Sequence, residues 1–199
     1  MTHNRTNIYR IAALGIFSAL SIVLVYFIRF PIFPSVPFLE YEPGNVPIII
    51  CSYLFGPFYG LAMTVVVCVV QGLTVSAQSG WIGIVMHIFA TGSLVLTSSG
   101  LRIALRKRKQ KAGVELTARN TGLIDVLSAL AGITAMTVSM TLWNMVFTPI
   151  FMGVTLNDVI PLLPFVVLFN IIKATVNSAV ALAVYRILPR RLVERFAAV

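Results

Sequence analysis

The stretch Phe169-Asn170-Ile171-Ile172-Lys173-Ala174-Thr175-Val176-Asn177 places a lysine inside a long apolar segment. On a helix its two asparagines and its lysine, spaced i, i+3 and i+7, form one polar stripe on an apolar cylinder. A helix that enters the membrane near Pro161 carries this lysine roughly 15 Å inward, close to the bilayer midplane. An ammonium group at that depth predicts a cavity or a partner. The alternative is that the lysine reaches an interface while the asparagines bond neighbouring helices.

The composition predicts a polytopic membrane protein. Of the 199 residues, 58% are hydrophobic and only 11% are charged, and the mean hydropathy is +0.95. Soluble domains carry about 25% charged residues. The 59 residues between Glu42 and Arg102 contain no Asp, Glu, Lys or Arg, which is about three times the length of one span. We therefore expect residues 1–199 to form a single integral membrane domain.

The basic residues predict the topology. All but two of the 15 Lys and Arg residues lie in three clusters: Arg5 with Arg10, seven residues from Arg102 to Arg119, and Arg186 with Arg190, Arg191 and Arg195. The positive-inside rule places all three clusters in the cytoplasm, which requires an even number of spans between them. The net charge of +9 is thus explained by topology, and we expect no nucleic-acid partner.

The apolar segments between these clusters predict an all-α membrane protein with six transmembrane helices and cytoplasmic N- and C-termini. The second segment is short and crosses only if it tilts or the bilayer thins. We expect Pro149 to end the fifth span, and we expect the basic loop 102–119 to be solvated. The predicted spans are 8–28, 44–56, 58–77, 81–101, 123–147 and 159–187.

The loop between the first two helices is rich in proline and aromatic residues. Four prolines in the thirteen residues Pro31–Pro43 exclude a continuous helix and favour extended backbone. Its aromatic and apolar side chains favour a lid over the mouth of the helix bundle. The alternative is a solvated connector on the outer side.

A second polar stripe lies on the fifth predicted helix, where Thr137, Thr141, Asn144 and Thr148 share one face. Both stripes lie on outer halves of their helices, beside the proline-rich loop. Together they predict an outward-facing pocket for a planar small molecule rich in hydrogen-bonding groups. Gln71 and His87 are interpreted as interhelical hydrogen-bonding residues. Cys51 and Cys68 suggest neither a disulfide nor a metal site.

Several short motifs, taken in order, resemble a known family. These are Phe38-Leu39-Glu40-Tyr41-Glu42-Pro43 leading into Val46-Pro47, then Gly56-Pro57-Phe58-Tyr59-Gly60, Leu142-Trp143-Asn144 and Asn170-Ile171-Ile172-Lys173. The chain is similar to the riboflavin-specific S components of energy-coupling factor (ECF) transporters, the RibU type. The resemblance covers nearly the whole chain.

The resemblance implies a membrane-embedded substrate-binding subunit in the plasma membrane of a prokaryote, with no enzymatic activity and no cofactor. Riboflavin would be the transported ligand. A transmembrane coupling protein and two ABC-type ATPases would be the partners and would hydrolyse ATP, which agrees with the lack of a Walker motif here. The implied substrate-binding residues are Leu39, Glu40, Tyr41, Asn144, Thr148, Asn170, Lys173 and Asn177, and the implied docking residues are Ala12, Gly15 and Ala19.

Three other functions stay open at this point. An S component for another vitamin, such as thiamine, biotin, pantothenate or a queuine-like base, would keep the architecture and change the pocket lining. An intramembrane enzyme would need a nucleophile or paired carboxylates inside a span, and His87 and Lys173 are the only basic side chains well inside the predicted spans. A purely structural membrane scaffold would bind no small molecule.

Overall fold

The computed structural model describes residues 3–188, with side chains from residue 8. This part of the chain forms seven α-helices and one two-stranded antiparallel ribbon. Arg5, Arg190, Arg191 and Arg195 of the predicted cytoplasmic clusters lie outside the described side chains. The elements are α1 His3–Phe27, β1 Phe30–Pro31, β2 Glu40–Tyr41, α2 Asn45–Phe55, α3 Pro57–Leu73, α4 Gly80–Lys111, α5 Ala118–Met152, α6 Leu156–Val159 and α7 Leu163–Ile187.

Four regions among the described residues are long and apolar enough to cross a membrane, and they correspond to α1, α4, α5 and α6–α7. Helices α2 and α3 are apolar but shorter, with 11 and 17 residues. The mostly helical membrane architecture therefore agrees with the sequence. The count of six spans and the side on which the termini lie stay predictions.

Helix α2 is the centre of the bundle. All of its 11 residues are buried, and it contacts α1, α3, α4 and α7. At the α-helical rise it is only about 16 Å long, but other helices surround it, so its length is not set by the lipid. Gly56 ends it with a φ of 102°, a conformation that favours glycine. Pro57 then begins α3 in the first-turn position where proline is tolerated.

The predicted loop 102–119 is largely helical, which corrects the expected boundary. Helix α4 continues to Lys111, and only residues 112–117 separate it from α5. Arginine, lysine and glutamine are good helix formers, so the change from apolar to basic composition marks a change of surroundings and not the end of the helix. Helix α5 likewise runs past Pro149 to Met152, although this proline has no N–H to donate to the carbonyl four residues earlier. Gly153, with a φ of 66°, ends it.

The sequence predicted that Arg102 would be solvated, and this is wrong, because its side chain is only 4% exposed. Its Nε donates to Asp125 Oδ1 of α5 at 2.8 Å, and its Nη1 donates to the carbonyl of Tyr53 in α2 at 3.2 Å. The guanidinium group lies between the rings of Tyr53 and Tyr185, 4.7 and 4.6 Å from their centroids. One arginine thus links α2, α4, α5 and α7 at one end of the bundle.

Helices α4 and α5 approach each other closely around Gly132. A Cβ atom at this position would lie 2.9 Å from the carbonyl oxygen of Leu94 and 2.8 Å from Cβ of Ser98. Both distances are shorter than a normal contact, and the first involves backbone that cannot easily move. Small residues at such crossings allow helices in a membrane to pack closely.

We expect Gly132→Ala to destabilise the protein by about 1–3 kcal/mol, the usual cost of overpacking. Gly100→Ala is the matched control, because a Cβ atom there meets nothing within 4 Å. Thermal unfolding in detergent should show a lower midpoint for Gly132→Ala and an equal or higher midpoint for Gly100→Ala. Equal midpoints for the two variants would contradict the proposed close approach.

Candidate ligand-binding site

A cavity of about 900 Å³, including the part open to solvent, lies at the end of the bundle opposite Arg102. The first turns of α4, the last turns of α5 and the first half of α7 form its walls, and residues 38–40 of the loop cover one side. Six of the eight predicted substrate-binding residues line it: Leu39, Glu40, Asn144, Thr148, Asn170 and Lys173.

The ammonium group of Lys173 has a buried partner in the loop. Its Nζ donates to Glu42 Oε1 at 2.7 Å, and the two side chains are 5% and 4% exposed. Burial by itself raises the pKa of the Glu42 carboxyl, but the charge and hydrogen bond of Lys173 outweigh burial and lower this pKa to about 2. Glu42 is therefore a carboxylate that neutralises Lys173.

Asn177 and Tyr41, which the sequence assigned to substrate binding, contact each other and do not line the cavity. The hydroxyl of Tyr41 donates to Asn177 Oδ1 at 3.0 Å, and Asn177 Nδ2 donates to the backbone carbonyl of Glu42 at 3.1 Å. Asn177 is fully buried. The geometry thus gives these two residues the role of holding the loop against α7.

Asn144 of α5 and Asn170 of α7 both line the cavity. Asn144 Nδ2 donates to the carbonyl of Met140 at 2.7 Å, and Thr148 Oγ1 donates to Asn144 Oδ1 at 2.8 Å. Asn170 Nδ2 donates to the carbonyl of Val166 at 2.8 Å. An amide has two N–H groups and an oxygen with two lone pairs, so each asparagine keeps hydrogen-bonding capacity for a ligand.

The rest of the second predicted stripe does not reach the cavity. Thr137 Oγ1 donates to the carbonyl of Ile133 at 2.9 Å, and Thr141 Oγ1 donates to the carbonyl of Thr137 at 2.8 Å. These are hydrogen bonds back to the preceding turn, which threonine commonly makes in helices. Only the outer two positions of this stripe, Asn144 and Thr148, belong to the site.

A second ion pair holds the loop at the mouth of the cavity. Arg29, which follows α1, pairs with the carboxylate of Glu40 and also donates to the backbone carbonyl of Val75 beyond α3. The side chains of Arg29 and Glu40 are 24% and 29% exposed. The loop is thus fixed at two points, by Glu42 in the interior and by Glu40 at the mouth.

The remaining residues that line the cavity are mostly apolar. They are mainly methionine and phenylalanine: Phe38, Met86, Met136, Met140, Phe151, Met152 and Phe169. Methionine adapts to irregular shapes, and aromatic rings offer flat apolar surface. An apolar lining with a few fixed polar groups suits a planar ligand with polar edges.

Sequence reasoning missed two residues of this site, Glu42 and His87. His87 of α4 lines the cavity, with its Nδ1 3.6 Å from the same Glu42 oxygen that accepts from Lys173. A signal for Glu42 existed, because a buried lysine requires a counter-ion and the chain has only six acidic residues. A signal for His87 did not, because one histidine in a membrane helix is compatible with many roles.

Comparison with known proteins identifies the family. A family model described as "ECF transporter, substrate-specific component" matches residues 9–185. A solved structure, described as the S component of a bacterial ECF transporter, has the same fold with a TM-score of 0.73 and 23% sequence identity. The match covers 90% of this chain and 95% of that one. No curated protein sequence matches the chain.

The buried pair between Lys173 and Glu42 should show strong energetic coupling in the unliganded protein. Each single variant, Lys173→Ala or Glu42→Ala, leaves one buried charge without its partner and should cost about 3 kcal/mol of unfolding free energy. The double variant should cost at least about 1 kcal/mol less than the sum of both. Equilibrium unfolding of the wild type and the three variants measures this.

The control is the same comparison of two single variants and one double variant at Arg29 and Glu40. That pair is partly exposed, so its coupling should stay below about 1 kcal/mol. Additive effects of Lys173→Ala and Glu42→Ala would show that the two charges do not interact in the folded protein.

Proposed function

The chain belongs to the family of ECF transporter substrate-specific components, and we propose that it is the subunit that binds riboflavin for uptake. The observation that carries this proposal is the convergence of Asn144, Asn170 and Lys173 on one cavity with an apolar, aromatic wall. Riboflavin combines a planar ring system, whose edge carries carbonyl and N–H groups, with a polyhydroxyl chain. The amide and ammonium groups of the cavity are complementary to its polar edge, and the Met and Phe side chains are complementary to its flat ring faces.

In this proposal the cavity opens to the outer side of a prokaryotic plasma membrane, and the end near Arg102 faces the cytoplasm. The basic residues support that orientation, since those of α4 from Arg102 onward and Arg119 of α5 lie at the end away from the cavity. The polypeptide crosses the membrane six times, with the buried helix α2 as one crossing.

Energy for uptake would come from partner subunits, a transmembrane coupling protein and two ABC-type ATPases. Helix α1 supports a docking role, because Ala12, Gly15 and Ala19 are exposed on one face and nothing lies within 4 Å of a Cβ atom placed at Gly15. The opposite side of α1, with Ser21 and Val25, is buried in the bundle. A groove of small residues on the exposed side would allow another helix to approach closely.

The ligand is tested on protein purified in detergent without added vitamin. A flavin absorption band with quenched fluorescence, released in stoichiometric amount on denaturation, would support riboflavin as the ligand. Thermal-shift measurements with thiamine, biotin, pantothenate and queuine separate the other vitamins. A colourless protein that neither quenches nor is stabilised by riboflavin would overturn the proposal.

Asn144→Ala should weaken riboflavin binding by at least about 1.5 kcal/mol, since it removes a buried polar contact. Ser139→Ala on the same helix is the control, because Ser139 lies outside the cavity and should leave the affinity unchanged. Titration of the quenching of riboflavin fluorescence measures both. Wild-type affinity in Asn144→Ala would remove Asn144 from the site.

Gly15→Leu should disrupt assembly with the coupling protein while leaving riboflavin affinity unchanged. The exposed leucine fills the groove between Ala12 and Ala19 but touches neither the cavity nor the buried side of α1. Co-purification of the tagged chain with its coupling protein and ATPases measures assembly, and Ile16→Leu, at the next and equally exposed position, is the control. Full assembly of Gly15→Leu would exclude this face of α1 as the docking surface.

A further inference from the structure

His87 is a polar side chain of the cavity to which neither the sequence motifs nor the family assignment gives a role. It lies two turns into α4, its side chain is 30% exposed, and it lines the cavity. Its Nδ1 faces Glu42 Oε1 at 3.6 Å. None of the side-chain hydrogen bonds found within residues 8–188 uses the other ring nitrogen, Nε2.

The charges around His87 fix its form. Lys173 already neutralises Glu42, so a second positive charge on the imidazole would have no counter-ion of its own in an apolar setting. The imidazole is therefore neutral. Because the carboxylate lies on the Nδ1 side, the tautomer with its hydrogen on Nδ1 is favoured, which leaves Nε2 as a hydrogen-bond acceptor.

A donor and an acceptor thus lie near each other at the cavity, because the side chains of Lys173 and His87 both line it. Lys173 and His87 converge on the same oxygen of Glu42, and an ammonium group has two further N–H groups once one has been given to Glu42. The chemical group that fits such a pair is the edge of a lactam or imide ring, where a carbonyl oxygen and an N–H group are adjacent.

We propose that His87 is a specificity-determining residue, whose Nε2 accepts a hydrogen bond from a ring N–H of the ligand while Lys173 donates to the neighbouring carbonyl oxygen. The inference rests on the proposed function, and in riboflavin the matching group is N3–H beside a ring carbonyl. A ligand without this N–H leaves Nε2 unpaired inside the cavity, and sites built around such a hydrogen bond discriminate strongly.

The test compares riboflavin with 3-methylriboflavin, in which a methyl group replaces the hydrogen on N3 and both ring carbonyls are kept. Fluorescence or calorimetric titration of the full chain gives the ratio of the two dissociation constants. Wild-type protein should prefer riboflavin roughly tenfold or more, the factor expected for one buried hydrogen bond. In His87→Leu, which keeps bulk but offers no acceptor, the ratio should fall to within about twofold of unity.

Two more variants separate recognition from folding. His87→Gln keeps an acceptor oxygen and should retain part of the preference, while Ser93→Ala, on the same helix but outside the cavity, should retain all of it. If His87→Leu does not fold, the ratio of the two dissociation constants is compared between His87→Ala and wild-type protein.

Equal binding of both flavins by wild-type protein, or an undiminished preference in the variants without an acceptor, would overturn the role of His87 while leaving riboflavin as the ligand. Failure of wild-type protein to bind either flavin would instead overturn the proposed function, and this inference with it.

Discussion

The structure depends on one buried ion pair between residues 131 positions apart. Lys173 lies deep in an apolar helix, where an ammonium group without a partner would cost several kcal/mol. Glu42 supplies that partner at 2.7 Å, and it can do so only if the loop after α1 folds inward over the bundle. The charge of Lys173 in α7 therefore requires the loop to lie over the bundle, where residues 38–40 line the cavity.

The polar stripe of α7 serves two purposes along its length. Asn170 faces the cavity, Asn177 holds the backbone of the loop, and Lys173, between them, does both. At the far end of the bundle Arg102 joins four helices through Asp125 and two tyrosine rings. One end of the molecule is thus tied together by a single central arginine, and the other is closed by a loop and lined by adaptable methionine side chains.

Much of this could be predicted from the sequence. The 3.6-residue period identified the stripe of α7, the prolines indicated an extended loop, and the aromatic side chains of that loop indicated a covering position. The sequence did not predict which residue of the loop pairs with which residue of the stripe. Glu40 and Glu42 are separated by one residue in the loop. The tertiary fold alone decides that Glu42 turns inward to Lys173 while Glu40 pairs with Arg29. Helix ends at α4 and α5 were misplaced for a related reason, since hydropathy reports surroundings and not hydrogen bonding.

In the proposed binding mode, Lys173 contacts both the ligand and Glu42 and so links ligand occupancy to the position of the loop. An ammonium group has three N–H groups, so a ligand oxygen can bind Lys173 without displacing Glu42. Such a ligand oxygen adds a second acceptor to a cation whose first acceptor already requires the closed loop. Opening the loop in the occupied state would strip Lys173 of its counter-ion while the ligand still shields it from water. For that reason a ligand at Lys173 stabilises the closed loop, although it touches Glu42 only through the lysine.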